Sequence, residues 1–146
     1  MRKLTALGST ILMTSATACT AHGSVVQNDV GFLCAVHGTK LLEPVMTDQA
    51  VCEAFKTKID AAMTRKTVAV NSVSEAVPAD WIKIEVRFSK PGTASAMVVQ
   101  RTGGKETAHP EIAVDVMDKA MGPNDVGTLA FAVAKFLAET PKRERS

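Results

Sequence analysis

The stretch GFLCAVHGTKLLEPVMTDQAVCEAFKTKIDAAM, residues 31–63, decides the fold. It reads as a strand, a loop and an amphipathic helix, with one cysteine in the strand and one in the helix. Along residues 31–37, Phe32, Cys34 and Val36 share one face, and Leu33, Ala35 and His37 share the other. Both faces are mostly apolar, which predicts a strand inside the sheet. Gly38 and Pro44 mark residues 38–45 as loop. Thr47 is a suitable N-cap, and Asp48 follows in the first turn, where the helix dipole favours an acid. The spacing predicts a helix over residues 48–64. Val51, Cys52, Phe55, Ile59, Ala62 and Met63 form its buried stripe, and Glu53, Lys56 and Asp60 lie opposite. Lys56 and Asp60 stand one helical turn apart, close enough to pair. Cys34 and Cys52 therefore aim at one strand–helix interface, which predicts a Cys34–Cys52 disulfide.

Working outward toward the C-terminus, residues 67–80 are ambiguous. Val68, Val70 and Val73 permit a short strand, whereas Pro78 and the polar residues favour a connector. Residues 81–89 alternate cleanly: Ile82, Ile84, Val86 and Phe88 face one way, and Lys83, Glu85 and Arg87 the other. Pro91-Gly92 then supplies a type II turn. Residues 94–101 return as a second strand, and Gly103-Gly104 permits a further reversal. Residues 111–117 form a third strand, with His109-Pro110 at its entry and Asp115 facing outward. Pro123, Asn124 and Asp125 open a last helix, with Asn124 as its cap. Its stripe is Val126, Leu129, Ala130, Val133, Phe136 and Leu137, and Pro141 ends it. The expected architecture is a two-layer α+β sandwich of order β-α-β-β-β-α. Its sheet is mainly antiparallel, and both helices lie on one face. One domain over residues 31–140 is expected, with residues 141–146 as a frayed, disordered tail.

The N-terminal residues 1–18 have the pattern of a secretory signal peptide: Arg2 and Lys3, a short apolar run, then Ala16-Thr17-Ala18. The apolar run is far short of the roughly 20 residues that span a bilayer. Residues 19–30 are polar and aperiodic and read as a flexible tether. The run Ala16-Thr17-Ala18-Cys19 resembles the lipobox of bacterial lipoproteins, with Ala16 where such families usually carry Leu. The resemblance implies lipidation of Cys19, and Thr20 after it implies sorting to the outer membrane. An odd cysteine count of 3 in an exported chain needs an explanation. Lipidation of Cys19 provides one. Cleavage after Ala21 provides another, and both leave Cys34 and Cys52 as a pair. The expected location is periplasmic or secreted, with or without a lipid on Cys19 as the membrane tie.

Composition narrows function by exclusion. The formal net charge of +2 comes from Arg2 and Lys3, so the chain beyond residue 18 is neutral. That gives no electrostatic footprint for nucleic acid. Aromatic residues make up only 4%, too few for a stacking platform. Cys34 and His37, three apart on a strand, point to opposite faces and make no half-site for a metal. Asp115 and Asp118 straddle both faces in the same way. Gly103-Gly104-Lys105 lacks the rest of a phosphate loop. The 7 methionines are scattered and suit core filling. Trp81 is expected to close a sheet edge. No metal, cofactor or catalytic constellation emerges. The expected function is that of an exported, non-catalytic module that binds a protein of the cell envelope or serves a structural role. Lys83, Glu85, Arg87 and Asp115 are the expected interaction face. The alternative is a small periplasmic enzyme or enzyme inhibitor with a loop-built site, for which His109, Asp115 and Asp118 are the first candidates.

Overall fold

A computed structural model describes residues 29–71 and 76–139. The expected signal peptide, Cys19 with most of the tether, and the tail over 141–146 lie outside the described residues. Among the described residues, six strands and two α-helices follow in the order β1 (Val30–His37), α1 (Asp48–Ala62), β2 (Thr67–Ala69), β3 (Trp81–Lys90), β4 (Thr93–Thr102), β5 (Lys105–Ala108), β6 (Ile112–Asp115) and α2 (Pro123–Glu139), with a short 3-10 turn at Thr39–Leu41. The class is α+β.

The sheet is mixed, which corrects the mainly antiparallel expectation. Its strand order is β2-β1-β3-β4-β5, with β6 also paired to β4. β1 runs parallel to both β2 and β3, and β4 runs antiparallel to β3, β5 and β6. The parallel half follows from connection length. A helix between two strands carries the chain back to its starting end, so β1, α1 and β2 form a βαβ unit. The ambiguous residues 67–80 thus begin with a true strand. It is only three residues long, too short for alternation to show.

The order β-α-β-β-β-α needs a second correction. The expected third strand is preceded by another, and β5 and β6 lie end to end along the same edge of β4. Thr102↔Lys105 closes the first hairpin, and Ala96↔Ile112 opens the second pairing. Gly103 and Gly104 have φ of 59° and 80°, the positive values that a two-residue hairpin turn requires. Pro110 has no N–H and separates the two strands. The sequence of β5, Lys-Glu-Thr-Ala, shows no apolar alternation because neither of its faces is deeply covered.

The helices form for the expected reasons, with two local differences. Thr47 Oγ1 accepts the Ala50 N–H at 3.1 Å, so the N-cap of α1 is as read. At α2 the cap is not Asn124. The Gly122 N–H donates to Asp125 Oδ2 at 2.9 Å, with Pro123 at the first helical position. An acid three residues into the helix reaching back is half of a capping box. α1 ends at Ala62, short of the expected residue 64, and Arg65 beyond it pairs with Asp80, Nη1 to Oδ2 at 2.7 Å.

One face of the sheet carries the core. Ile82, Ile84, Val86 and Phe88 of β3, with Ala94, Ala96 and Val98 of β4, are buried against Val51, Phe55 and Ile59 of α1 and Val126, Leu129, Val133 and Leu137 of α2. The two helices also contact each other. At one corner, Gly92 sits so close to the Val116 carbonyl that an added Cβ would lie 2.5 Å from it. That approach lets the Val116 N–H reach the Gly92 carbonyl at 2.7 Å and pins the β3–β4 turn to the segment leading into α2.

Two carboxylates tie the crossover together. Asp60 Oδ1 accepts both the N–H and the hydroxyl of Thr67 at 2.7 Å, and its Oδ2 takes Lys56 Nζ at 2.8 Å. Asp80 takes Arg65 and, through Oδ1, the Gly103 N–H at 3.1 Å. Burial works to raise the Asp60 carboxyl, but the bonds from Lys56 and Thr67 together outweigh it, and its pKa falls below the usual value. The Arg65 bond, followed by the Gly103 N–H, lowers that of Asp80. A carboxyl lowered by folding stabilises fully above its unfolded pKa, about 3.9, and that stability is lost as pH falls through the folded value. Stability is therefore expected to drop below about pH 4, and the drop should be shallower in an Asp60→Asn, Asp80→Asn variant. Urea unfolding at a series of pH values measures both, and an unchanged slope in the variant would remove these carboxylates as the cause.

Candidate functional site

The face of the sheet away from the helices has no layer over it among the described residues. Its side chains form a grid set by the register. Leu33, Lys83 and Val99 make one row, Ala35, Glu85 and Met97 the next, and His37, Arg87 and Ser95 a third. Trp81 stands at one end of the grid between Gly31 and Arg101. It lies on a central strand and does not close an edge, because β1 flanks it on one side and β4 on the other.

Glu85 is the hub of this face. Its Oε1 accepts Arg87 Nε at 2.8 Å, with Nη2 of the same guanidinium also in contact, and His37 Nε2 lies 3.5 Å away. The Arg87 hydrogen bonds, before any other influence, hold the Glu85 carboxyl below its usual pKa. Lys83 adds a further positive charge one alternation along β3. The predicted residues Lys83, Glu85 and Arg87 are thus brought together. Asp115 shares the face but stands at its far corner, opposite Thr93, whose hydroxyl lies 3.3 Å from Asp115 Oδ1. Apolar side chains are interleaved with these charges, and Met97 is 39% exposed and Val68 44%.

The residues named for a loop-built catalytic site are not gathered at one point. His109 lies on the helix side of the sheet, its Nε2 3.2 Å from Gln100 Oε1 and its ring edge-on to Phe136 with centroids 5.4 Å apart. Burial lowers its pKa. Asp115 lies on the opposite face, and Asp118 occupies a left-handed backbone position with φ 63° in the segment before α2. His37 and Cys34 point to opposite faces, as the strand period requires.

The predicted Cys34–Cys52 disulfide is present, with Cα atoms 5.9 Å apart. It ties β1 to α1 and lines a groove of about 700 Å³. Phe32 and Val36 of β1, Gln49 and Glu53 of α1, and Val70 beyond β2 line the groove with it. Sequence reading missed this groove. It exists because β2 ends at Ala69, so that among the described residues β1 is flanked on both sides only over its first residues. No helix among the described residues is long and apolar enough to cross a membrane. A surface disulfide is compatible with an oxidising compartment.

The chain matches no protein-family model and no curated protein. A solved structure titled "Crystal structure of uncharacterized protein" is similar over 81% of this chain and 91% of its own, at 10% identity and a TM-score of 0.43.

Proposed function

We propose that the protein is an exported, non-catalytic module that binds a protein partner in the cell envelope, with Cys19 either lipidated or removed on export. The observation that supports this is the uncovered sheet face, where Lys83, Glu85, Arg87 and His37 cluster among partly exposed Leu33, Met97 and Val99. Mixed signs make no single-sign field, which suits a modest protein contact better than nucleic acid or an anionic membrane. The location is supported by the basic, apolar and small-residue pattern over residues 1–18 and by the Cys34–Cys52 bond.

The test is the triple change Lys83→Ala, Glu85→Ala and Arg87→Ala, with partner recovery measured after cross-linking in intact envelopes of the native host. The side chains project from the sheet, so each change should cost no more than about 0.5 kcal/mol of stability. Recovery is expected to fall several-fold while the fold persists. Wild-type recovery in the folded variant would reject the charged face. Loss of a measurable activity in folded His109→Ala or Asp115→Asn protein would instead favour the enzyme reading.

A further inference from the structure

We infer that the edge of β1 beyond its pairing with β2, at Cys34 and Val36, accepts an extended peptide segment of a protein partner, with a lysine or arginine of that segment facing α1. This rests on the protein-binding reading and adds to it a contact site separate from the charged sheet face. The backbone alternation along β1 sets the edge. Gly31 donates its N–H to Asp80 on the β3 side at 2.9 Å. Val30 donates to Lys66, and Phe32 accepts from Val70 at 3.0 Å, on the β2 side. Even-numbered residues of β1 therefore face β2, and odd-numbered ones face β3. The β2 pairing ends at Phe32↔Ala69, whereas the β3 pairing continues to His37↔Arg87. The N–H and C=O groups of Cys34 and Val36 thus face the β2 side where no described strand stands. A strand edge that no neighbour covers among the described residues is a template for one more strand.

Natural edges are usually blunted by charge, proline or a bulge. β1, with the sequence VGFLCAVH, carries no Asp, Glu, Lys, Arg or Pro. The edge opens instead into the groove of about 700 Å³ under α1, room for side chains of an added strand. Successive side chains of such a strand alternate between the α1 side and the open sheet face. On the α1 side they meet Asp48, Glu53 and Lys56. Lys56 is already paired with Asp60 at 2.8 Å. Asp48 and Glu53 have no cationic partner among the described residues; Asp48 takes only the Thr39 hydroxyl, at 3.0 Å. The groove is therefore acidic, and a basic side chain complements it. The disulfide fixes the floor: Cys34 cannot move from Cys52, so the edge and the acidic rim keep their spacing without a ligand, and binding orders little of the protein.

The probe is a set of eight-residue peptides, blocked at both ends, in which Val, Ile or Thr alternates with Lys, Arg, Asp or Glu. Binding is read from backbone amide signals of the isotopically labelled, disulfide-bonded protein. Peptides with Lys or Arg are expected to shift the Cys34 and Val36 amides, and their acidic counterparts to bind at least tenfold more weakly. N-methylation of every second peptide amide should abolish binding in one phase and leave it in the other, because only alternate amides face β1. Glu53→Lys, a change on the exposed surface of α1, should weaken the basic peptides at least tenfold. The inference is overturned if no peptide shifts these amides at millimolar concentration, if both N-methylated phases bind alike, or if the shifts fall on Lys83 and Arg87 instead. Envelope cross-linking separates it from the broader reading. Partner recovery that is intact in Glu53→Lys protein rejects the edge and keeps the binding module. Absence of any protein partner for the wild type rejects both.

Discussion

Replacing both bridging cysteines, Cys34→Ala with Cys52→Ala, is expected to lower the unfolding free energy by about 3 kcal/mol. The magnitude follows from the loop. The bond closes a sequence separation of 18 residues, and the chain entropy it removes from the unfolded state is of that size. Both cysteines are only partly buried, so the packing lost on truncation to Ala is small beside the cross-link. The control is reduction of the wild-type protein, which removes the cross-link and keeps the sulfur atoms. Urea unfolding should place the reduced wild type and the double variant within about 0.5 kcal/mol of each other. A loss under about 1 kcal/mol in both would mean that the folded βαβ unit is held by packing alone. The result also bears on binding, because the same bond sets the distance between the β1 edge and the acids of α1.

The elements with a buried face were legible in the sequence, and their reason is visible in β3. Ile82, Ile84, Val86 and Phe88 are all buried while Lys83 and Arg87 are exposed, so alternation reported a real boundary between core and solvent. The helices were legible on the same ground, as was the disulfide, since Cys34 and Cys52 each fell on an apolar face. Strand direction was not legible. Periodicity marks which way a side chain points and is silent on which end a strand enters the sheet, so the parallel pairing of β1 with β2 and β3 went unread. β2 was left open and β5 went unread because they are short and lie at edges, where Val68, Ala69 and most of Lys105–Ala108 stay exposed. The charged cluster around Glu85 was legible residue by residue; that His37 joins it depends on the β1–β3 register. The groove was illegible for a deeper reason. It is made by the point at which β2 stops, and the end of a neighbouring strand leaves no pattern in the residues of β1.

The largest single-residue loss is expected at Phe55. Its side chain is fully buried, at 0% exposure, in the cluster that joins α1 to the sheet and to α2. Truncation by Phe55→Ala removes the transfer energy of the ring and leaves a cavity that its neighbours fill only partly, a loss of about 3–5 kcal/mol. Domains of this size are stable by only about 5–15 kcal/mol, so the melting temperature should fall by at least roughly 10 °C. Phe131 supplies the matched comparison. It lies on α2 at 59% exposure, and Phe131→Ala should change stability by no more than about 0.5 kcal/mol. The two variants delete the same atoms, so their difference isolates burial from residue type. Thermal and urea unfolding of both settle it, and comparable losses would mean that α1 is not seated in the core as described. The comparison reaches function through α1. Phe55 lies one helical turn from Cys52 and near Glu53, so loosening it should free the acidic rim of the groove before the sheet itself unfolds. Phe55→Ala protein held below its melting point is therefore expected to lose protection of the α1 amides against hydrogen exchange while those of β3 and β4 stay protected.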